Sequence, residues 1–473
     1  MINPSEHESF SRVIYESWMA KVPIIVNSNC YATSLALKDS KCSGFMFDSE
    51  NSLQEIFKSI DKMSQAQTFD LGMRGFEYAK KTANFDKAVN EIESRISENF
   101  KIEKAVIIVA VNIFDKDAIG NDVISQYRFL KENGFNVYLY ATGKKSDKIQ
   151  QDFFASEGLF DDLIKHRSTT IIYHHSIYDR GFEFIFKRDD FNSKFIIKYH
   201  NITPKEFFTE YNFVSYFACN KGREQLKSLL KHKNLIDVWA DSDFNKKEIL
   251  DFKIFNREIK IIPPFLSKQM YEQLNQADIK SDTSKIETLS VLFVGRIVPN
   301  KGHFHLLNVL KSYLENYDEN IILNLVGGPL NGKYYRQIVK QIKKLKLQKH
   351  VFLFENVSDK DISKFYKDAD VFLLMSEHEG FCVPVIEAQI NDLPVVALNR
   401  GAVGNVIGEN QLLFQNIDYN RFSTALYVIK ENFEIRNFLI ESGRANLERF
   451  QFDFVKNNFL SVCSKLLMES KNA

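Results

Sequence analysis

Residues 371–398 read VFLLMSEHEGFCVPVIEAQINDLPVVAL. The apolar run Val371–Met375 predicts a buried strand, and Pro394–Leu398 predicts the next one. Between them, Pro384 occupies a position that suits the first turn of a helix. A strand, a helix and a second apolar strand in this order indicate parallel strands of an α/β domain.

The same alternation extends over most of the chain and forms two series. Pro263-Pro264 ends the first series, and a polar stretch around Gln276–Glu287 is typical of a linker. Two parallel sheets covered by helices predict two Rossmann-like domains, with ligands bound between the carboxyl ends of their strands. The remaining predicted strands are Ala105–Val111, Asn136–Tyr140, Thr170–Tyr173, Phe195–Tyr199, Leu235–Ala240, Ile259–Ile262, Ser290–Val294, Ile321–Val326 and Val351–Phe354.

Part of the second series is repeated at the start of the chain. Residues 5–26 read SEHESFSRVIYESWMAKVPIIV, and residues 376–397 read SEHEGFCVPVIEAQINDLPVVA. Asn84-Phe85-Asp86 likewise echoes Gln451-Phe452-Asp453. The copies lie far apart, so they predict a partial module followed by a complete one rather than a solenoid. The predicted domains are an orphan C-terminal half-module (1–103), an N-terminal domain (104–271), a C-terminal domain (272–455) and a final helix crossing back to the N-terminal domain (456–473).

Composition excludes several classes of protein. The 473 residues include 62 Lys+Arg and 61 Asp+Glu, and this balance disfavours a dedicated nucleic-acid binder. Five scattered cysteines give neither a disulfide framework nor zinc-ligand spacing, which favours a reducing compartment. The first residues do not resemble a signal peptide, and the longest apolar run is far below the about 20 residues of a membrane helix. We therefore expect a soluble, cytoplasmic protein.

Two glycine-flanked cations follow the predicted strand Ser290–Val294. The stretch Gly295-Arg296-Ile297-Val298-Pro299-Asn300-Lys301-Gly302 places Arg296 and Lys301 at the carboxyl end of that strand. Arginine supplies a bidentate fork and lysine a point charge, so the pair suits a diphosphate. The alternative is a left-handed turn with two solvated cations.

A second candidate site is the turn after Val371–Met375. Exposed N–H groups at the start of its helix, together with the helix dipole, can hold phosphate or sugar oxygens. Glu379 precedes the turn and could face sugar hydroxyls, and Glu387 lies one turn inside the helix, where it could accept two ribose hydroxyls. The alternative is a capping carboxylate and a first-turn glutamate favoured by the helix dipole.

The segment from Glu379 to Glu387 resembles the E-x7-E signature of the family-four glycosyltransferases, retaining enzymes of the GT-B fold. The likeness covers about residues 104–470, and the chain is similar in general terms to O-antigen mannosyltransferases. It implies that Arg296 and Lys301 bind the donor phosphates and that the Gly loop at Ile119-Gly120-Asn121-Asp122 lies against the donor. The donor-binding residues it implies are Gly120, Arg296, Lys301, Gly380, Phe381, Cys382, Val383 and Glu387.

The stretch Tyr199-His200-Asn201-Ile202-Thr203-Pro204 is similar to the family segment that carries an active-site histidine. The resemblance therefore implies that His200 and Glu379 are the catalytic pair. A structural, hydrogen-bonded histidine is the alternative for His200, and His174 and His175 are weaker candidates for the cleft. Asp189-Asp190 superficially resembles an acidic metal motif, and we interpret it as a helix cap or loop.

The implied function is retaining transfer of a hexose, with mannose from GDP-mannose as the first candidate, to a glycan or lipid-linked acceptor in the biosynthesis of surface polysaccharide. We expect no cofactor and no metal, because cations and backbone N–H groups can neutralise a diphosphate. The competing class is a non-catalytic scaffold subunit that binds a nucleotide sugar. A hydrolase or epimerase on the same fold would need its own acid or base, and no residue stands out for that role.

Two surface features leave further partners open. Glu8 and Glu16 repeat the E-x7-E spacing without a preceding GRxxxxKG motif, and Ser9 and Arg12 replace Gly380 and Val383. Residues 1–103 are thus interpreted as a relic of an upstream glycosyltransferase module or as a docking element for such a partner. The basic amphipathic stretch 221–233 is either a solvated helix face or a contact with an anionic membrane at the inner face of the plasma membrane.

Overall fold

The computed structural model describes residues 1–8, 11–40, 43–82, 105–114, 117–267, 270–272 and 285–469. Chain contacts divide the protein into two compact units, Met1–Ile102 and Glu103–Ala473. Ser9, Asn84-Phe85-Asp86 and most of the predicted linker Gln276–Glu287 lie outside the described residues.

Unit 1 contains a small parallel sheet with the strand order β1-β2-β3. Trp18 is fully buried in its core, and Gly75 lies against the indole ring so closely that a side chain there would clash with it. Ile14, Val26 and Leu37 complete this small core. The elements are β1 Ile2–Asn3, α1 Arg12–Met19, β2 Ile24–Asn27, α2 Tyr31–Asp39, β3 Gly44–Phe47, α3 Glu50–Ile60 and α4 Gln65–Thr82.

The first lobe of unit 2 is built on a six-stranded parallel sheet with the order β5-β4-β6-β7-β8-β9. Its strands are β4 Ala105–Ala110, β5 Asn136–Ala141, β6 Thr170–His175, β7 Lys194–Tyr199, β8 Leu235–Ala240 and β9 Lys260–Ile261. Its helices are α5 Ala118–Glu132, α6 Glu157–Leu163, α7 Arg180–Phe186, α8 Phe213–Leu229 and α9 Asp243–Asp251, with single 3₁₀ turns at Gln151–Phe153 and Lys205–Phe208.

Hydrophobic clusters cover both faces of this sheet, which explains why its strands are continuous apolar runs rather than alternating ones. Every residue of β4 is buried. The last helix of the chain, α17 Phe452–Glu469, contributes to one of these clusters although it follows the second lobe in sequence. Phe459 of that helix packs edge-on against Trp239 and Phe265.

The second lobe has a parallel sheet with the order β12-β11-β10-β13-β14-β15 and a single large core. Its strands are β10 Leu289–Val294, β11 Ile321–Val326, β12 Val351–Phe354, β13 Val371–Leu374, β14 Val395–Leu398 and β15 Leu412–Phe414. Its helices are α10 His303–Asn316, α11 Gly332–Lys344, α12 Asp359–Lys367, α13 Val383–Ile390, α14 Val403–Val406, α15 Tyr419–Glu431 and α16 Phe433–Leu447, with 3₁₀ turns at Pro299–Lys301 and Glu448–Phe450.

Unit 1 repeats the element order of the later half of the second lobe. The succession β1-α1-β2-α2-β3-α3-α4 parallels β13-α13-β14-α14-β15-α15-α16, and both sets of strands pair in sequence order. In the second lobe β13 also pairs with β10, through Val291–Val371 and Leu292–Phe372. The sequence repeat is thus accompanied by a repeat of topology.

The segment Ile119-Gly120-Asn121-Asp122 differs from the expected loop, since it lies in the first turns of α5. Asp117 caps this helix, and its carboxylate accepts a hydrogen bond from the Gly120 N–H at 2.6 Å. A side chain at position 120 would meet the Phe114 carbonyl oxygen at 1.7 Å, so glycine permits the helix to start this close to the preceding loop. Four cysteines, Cys30, Cys219, Cys382 and Cys463, are free and buried.

Candidate active site

A cavity of about 550 Å³ lies within unit 2, at the carboxyl ends of both sheets. Both lobes contribute to its wall, as expected for parallel α/β sheets, whose ligands bind outside the carboxyl ends of the strands. The first lobe supplies Asp117, Ile119, His200, Thr203 and Asp241 among others. The second lobe supplies Arg296, Asn300, Lys301, His378 and the turn Glu379–Pro384.

The GRxxxxKG segment forms a loop and one 3₁₀ turn between β10 and α10. Gly302 adopts the left-handed conformation (φ 69°), and a side chain there would collide with the Met375 carbonyl oxygen at 2.0 Å. This close approach ties the loop to the end of β13, next to the E-x7-E turn. Lys301 Nζ consequently reaches Glu379 Oε1 at 2.7 Å, and Arg296 lies at the cavity wall.

The turn Glu379–Val383 and the start of α13 line the cavity. Cys382 precedes α13 in a left-handed conformation (φ 79°), and Pro384 lies in the first turn of the helix. Burial raises the pKa of the Cys382 thiol well above its ordinary value, so this cysteine acts as a small apolar side chain. The start of α13 thus faces the cavity between Arg296 and the first lobe.

Two residues of the predicted donor site, Gly120 and Glu387, do not line this cavity. Glu387 is half-buried on α13, and its Oε2 accepts a 2.6 Å hydrogen bond from the Tyr366 hydroxyl. Gly120 instead positions Asp117, Ala118 and Ile119, which do form part of the wall. The other predicted residues, from both lobes, converge on one cavity; their proposed roles stay predictions.

His200 belongs to a buried polar cluster at the carboxyl ends of β6, β7 and β8. Its Nδ1 lies 2.7 Å from Asp241 Oδ2, and its Nε2 lies 2.8 Å from His174 Nδ1. Lys198 Nζ lies 2.8 Å from Asp241 Oδ1 and also donates to the Ile262 carbonyl. Both ring nitrogens of His200 are therefore engaged within the protein, and a hydrogen bond to a sugar hydroxyl requires one of these contacts to be exchanged.

Burial shapes the acid–base properties of this cluster. It lowers the pKa of His174 well below the ordinary value, and the positive charges of His200 and Lys198 lower that pKa further. Burial also raises the pKa of Asp122, against the opposing attraction of Lys198 and His200. At Asp241 burial acts in the same direction, but the charges and hydrogen bonds of His200 and Lys198 outweigh it and keep the pKa below its ordinary value.

The lobes contact each other beside the cavity. His378 Nε2 lies 2.6 Å from Asn201 Oδ1, and the Ser242 hydroxyl donates to the Gly380 carbonyl at 2.8 Å. Burial, helped by the charge of Arg223, lowers the pKa of His378 to about 4, so this imidazole is neutral at pH 7. These contacts join the two walls of the cavity.

Two further sequence features lie away from the cavity. Asp190 pairs with Arg188 at 2.8 Å in the loop after α7, where the sequence predicts a helix cap or loop. The basic stretch 221–233 begins inside α8, where Lys221 pairs with Glu224 and Leu226 and Leu229 are buried. Among the described residues, no helix combines the length and apolar character needed to cross a bilayer.

Sequence reasoning named His174 as a weaker candidate for the cleft and assigned no role to Asn201 or Asp241. Asn201 has a left-handed φ of 74° and joins the lobes, and Asp241 and His174 hold His200. Asn201 directly follows His200, and Asp241 follows a predicted strand end as His200 does, so position at the strand ends was the available signal. No local pattern indicates that His174 and His200 share a hydrogen bond.

The two lobes with parallel sheets define a fold class, the GT-B fold. Sucrose-phosphate synthase from Thermosynechococcus elongatus superimposes with a TM-score of 0.57 at 17% identity, over 77% of this chain and 99% of that one. Such low identity shows the fold alone. The predicted fold class, two Rossmann-like domains of GT-B type facing across a cleft, is confirmed.

Sequence comparison narrows this class. Residues 275–446 match the family of glycosyl transferases group 1, so the chain contains a domain of that family. An uncharacterized glycosyltransferase of Methanocaldococcus jannaschii is 30% identical over 211 residues, 44% of this chain and 48% of that protein. The capsular polysaccharide biosynthesis glycosyltransferase CapH of Staphylococcus aureus is 22% identical over 265 residues, 55% of this chain and 63% of that protein. The chain spans about half the length of the first curated relatives it matches.

The predicted glycosyltransferase resemblance is thus confirmed at the level of the group 1 domain. Membership of family four, retention of configuration and the likeness to mannosyltransferases stay predictions.

Proposed function

We propose that the chain is a retaining glycosyltransferase that moves a hexose from a nucleoside-diphosphate sugar to a glycan or lipid-linked acceptor. The observation that carries the proposal is the shared cavity. Arg296, Lys301 and the turn Glu379–Val383 form one wall, and His200 lies in the other. Cations and a helix N-terminus on one side suit a diphosphate, and the remaining space suits a sugar between the lobes.

The proposed mechanism follows from the position at which negative charge develops during sugar transfer. As the bond between the anomeric carbon and the diphosphate breaks, negative charge grows on the leaving phosphate oxygens. Arg296, Lys301 and the start of α13 would stabilise that charge without reorganising, and no metal ion is needed at the diphosphate. Retention is expected through attack on the same face of the sugar, with a donor phosphate oxygen taking the acceptor proton. The contacts between the lobes would exclude water, which competes as an acceptor.

The two proposed catalytic residues are held in place by different contacts. Glu379 is held by Lys301 at 2.7 Å and belongs to the cavity wall, from which it would orient sugar hydroxyls. His200 is fixed by Asp241 and His174 and would position the transferred sugar. A scaffold that only binds a nucleotide sugar would need the second lobe alone. Because residues of the first lobe also line the cavity, the arrangement favours an enzyme.

The substrate class rests on the family resemblance and on relatives. GDP-mannose is the first candidate donor, and the name of the S. aureus relative supports an acceptor in surface polysaccharide biosynthesis. Peripheral contact with a membrane and an upstream glycosyltransferase partner are secondary proposals that this activity does not require.

The test starts with a thermal-shift screen of nucleoside-diphosphate sugars, followed by calorimetry and a transfer assay with mass-spectrometric detection and NMR assignment of the product anomer. We expect one donor to stabilise the protein and Lys301→Ala to lower turnover by at least about 10²-fold, as for the loss of one preorganised donor of charge stabilisation. Lys311→Ala is the matched control, because Lys311 pairs with Glu315 on α10 away from the cavity.

Three outcomes count against the proposal in different ways. If no nucleotide sugar binds, the site assignment fails. If a donor binds but is neither transferred nor slowly hydrolysed, the scaffold function replaces the enzyme. If the product anomer is inverted, the retaining mechanism is wrong.

A further inference from the structure

A hydrogen bond across the cavity joins the chain neighbours of the two proposed catalytic residues. Asn201 directly follows His200 in the first lobe, and His378 directly precedes Glu379 in the second. His378 Nε2 lies 2.6 Å from Asn201 Oδ1. The side chains that join the lobes are therefore one residue away from each group that is proposed to contact the sugar.

The backbone of Asn201 indicates that its surroundings impose this arrangement. Its φ of 74° lies in the left-handed region, which few residues other than glycine adopt, although asparagine tolerates it better than most. Such a conformation persists where neighbouring contacts determine it, and it is concentrated at functional sites. Here it falls immediately after His200, at the point where the Asn201 side chain meets the second lobe.

The first lobe holds the Asn201 amide in one orientation. Its Nδ2 donates to Asn245 Oδ1 at 2.9 Å and to Glu248 Oε2 at 2.8 Å, and both acceptors lie on α9. A carboxylate oxygen can only accept, so Nδ2 faces Glu248 and Oδ1 faces His378. Glu248 is in turn paired with Arg223 at 2.5 Å. The oxygen of Asn201 is thus presented to a donor from the opposite lobe.

The imidazole of His378 supplies that donor. Because Asn201 Oδ1 accepts, the proton of the neutral ring lies on Nε2. The rings of Phe207 and Phe244 pack against the imidazole, and His378 is only 9% exposed. A polar group buried in this way is costly to leave without a partner, so the bond favours the arrangement in which the lobes meet.

The segment around His378 is also bonded to the loop that carries Lys301. The Glu377 N–H donates to the Asn300 carbonyl oxygen at 2.8 Å, and the Asn300 amide donates to the His378 carbonyl oxygen at 3.2 Å. Lys301 itself pairs with Glu379. The proposed phosphate-binding loop, Glu379 and the contact with the first lobe thus belong to one connected set of hydrogen bonds.

We propose that Asn201 is a positioning residue, which sets the separation of His200 and Glu379 through its hydrogen bond with His378. This role rests on the proposed function, because it concerns the two groups assigned to the transferred sugar. Loss of either partner of the bond would widen the gap between the cavity walls, misplace the sugar and admit water as a competing acceptor. A misplacement of about 1 Å can lower a rate by about 10²-fold.

The test uses Asn201→Gly in the full-length protein, because glycine adopts the left-handed conformation readily and the variant loses only the side chain. With the donor found in the thermal-shift screen, we expect transfer to fall by about 10- to 100-fold and the ratio of donor hydrolysis to transfer to rise. The calorimetric affinity for the donor should stay unchanged. The matched control is Asn410→Gly, since Asn410 has a left-handed φ of 56° but is exposed and does not line the cavity.

Variants of His378 test the same bond from the second lobe. His378→Ala should reproduce the defect, and its combination with Asn201→Gly should be no slower than either single variant, since both changes remove one shared bond. His378→Gln, whose side-chain amide can donate to Asn201, should recover part of the lost transfer. Two independent losses of packing would instead give additive effects and no such recovery.

A distance measurement separates this inference from the catalytic proposal. Paired spin labels at exposed positions, one on each lobe, should give a broader distance distribution in Asn201→Gly than in the wild type or in Asn410→Gly. An unchanged distribution, an unchanged ratio of hydrolysis to transfer, or additive effects of the Asn201 and His378 variants would overturn the inference. If the wild type transfers no sugar, the proposed function fails and the distance distribution alone decides. If Asn201→Gly does not fold, His378→Ala takes its place in each measurement.

Discussion

At the scale of single residues, the two copies of the E-x7-E spacing, one in unit 1 and one in unit 2, can be compared within the same chain. Glu379 is 7% exposed and pairs with Lys301, whereas its counterpart Glu8 in unit 1 accepts a hydrogen bond from the Asn3 amide at 3.3 Å. Glu387 accepts the hydroxyl of the buried Tyr366, whereas its counterpart Glu16 is 56% exposed and pairs with Arg12 one helical turn away. The same spacing thus occurs once beside a cation at a cavity and once on an exposed helix, where a surface pair contributes little.

We therefore expect Glu387→Gln to weaken binding of the nucleotide-sugar donor by about tenfold or more, since an ionised acceptor gives stronger hydrogen bonds to ribose hydroxyls than a neutral one. Glu16→Gln, the equivalent change in the repeat, should leave the affinity unchanged. Titration calorimetry of both variants checks this. Equal affinities for the two variants would remove Glu387 from the donor site.

The residues of the second-lobe site could be predicted because their chemistry is local in sequence. Arg296 and Lys301 share one loop, and Glu379 to Val383 share one turn. The cluster around His200 could not be predicted from the sequence. Its members Asp122, His174 and Asp241 are far apart in the chain and meet only when helix α5 and the strand ends are assembled. Gly120 was predicted to face the donor, but its local role is to let α5 approach the Phe114 carbonyl.

At the scale of elements, the E-x7-E turn lies directly against the first lobe. A side chain on Gly380 would meet Asn201 Cβ at 2.5 Å and the His200 carbonyl oxygen at 2.8 Å. Glycine is therefore required here by the opposite lobe rather than by its own backbone conformation. The hydrogen bond from Ser242 to the Gly380 carbonyl confirms how tight the approach is.

Gly380→Ala should push the lobes apart and lower transfer strongly, with a loss of stability of about 1–3 kcal/mol, as for other overpacked contacts. Gly158→Ala is the control. It also replaces a helical glycine with alanine, but the added side chain meets nothing within 4 Å. Urea unfolding and transfer rates of the two variants give the answer. A fully active, fully stable Gly380→Ala variant would mean that the lobes are separated in solution.

Strand prediction succeeded where apolar runs were long and failed where they were short. Leu235–Ala240 and Ile321–Val326 have the predicted bounds, because largely buried parallel strands are nearly continuous apolar runs. The edge strand Val351–Phe354 also has the predicted bounds, although only Val351 is buried. The edge strand β15 was missed, since Leu412–Phe414 is only three residues long and half-buried. Pairing with β14, not composition, makes it a strand.

At the scale of the whole molecule, buried neutral histidines tie stability to pH. Burial, with the charge of Lys301, lowers the pKa of His303 to about 3, and His378 between the lobes has a pKa of about 4. The unfolded chain takes up protons at these residues near pH 6.5, whereas the folded protein does not until the pH is far lower. Stability of unit 2 is thus lost as the pH falls below about 6.5.

We expect each of these histidines to lower the free energy of unfolding by about 2 kcal/mol when the pH falls from 7 to 5. A His303→Gln variant should therefore show a shallower loss over that range than the parent protein. Urea unfolding of a Trp18→Phe variant, followed by tryptophan fluorescence, reports on unit 2, because Trp239 is then the remaining tryptophan. Parallel pH profiles of parent and variant would contradict the prediction.

The buried thiols give experimental access to the arrangement of the lobes in solution. Cys30, Cys219, Cys382 and Cys463 are shielded from solvent, and burial raises the pKa of Cys382 and Cys463 so that little reactive thiolate exists at neutral pH. Maleimide reagents should therefore modify newly introduced surface cysteines well before Cys382 and Cys463. At Cys30 the effect of burial is outweighed by hydrogen bonds from Thr33, which lower the pKa of the thiol. Replacing Cys30 and Cys42, the latter outside the described residues, would prepare the chain for paired spin labels, one on each lobe, and for distance measurements with and without substrate.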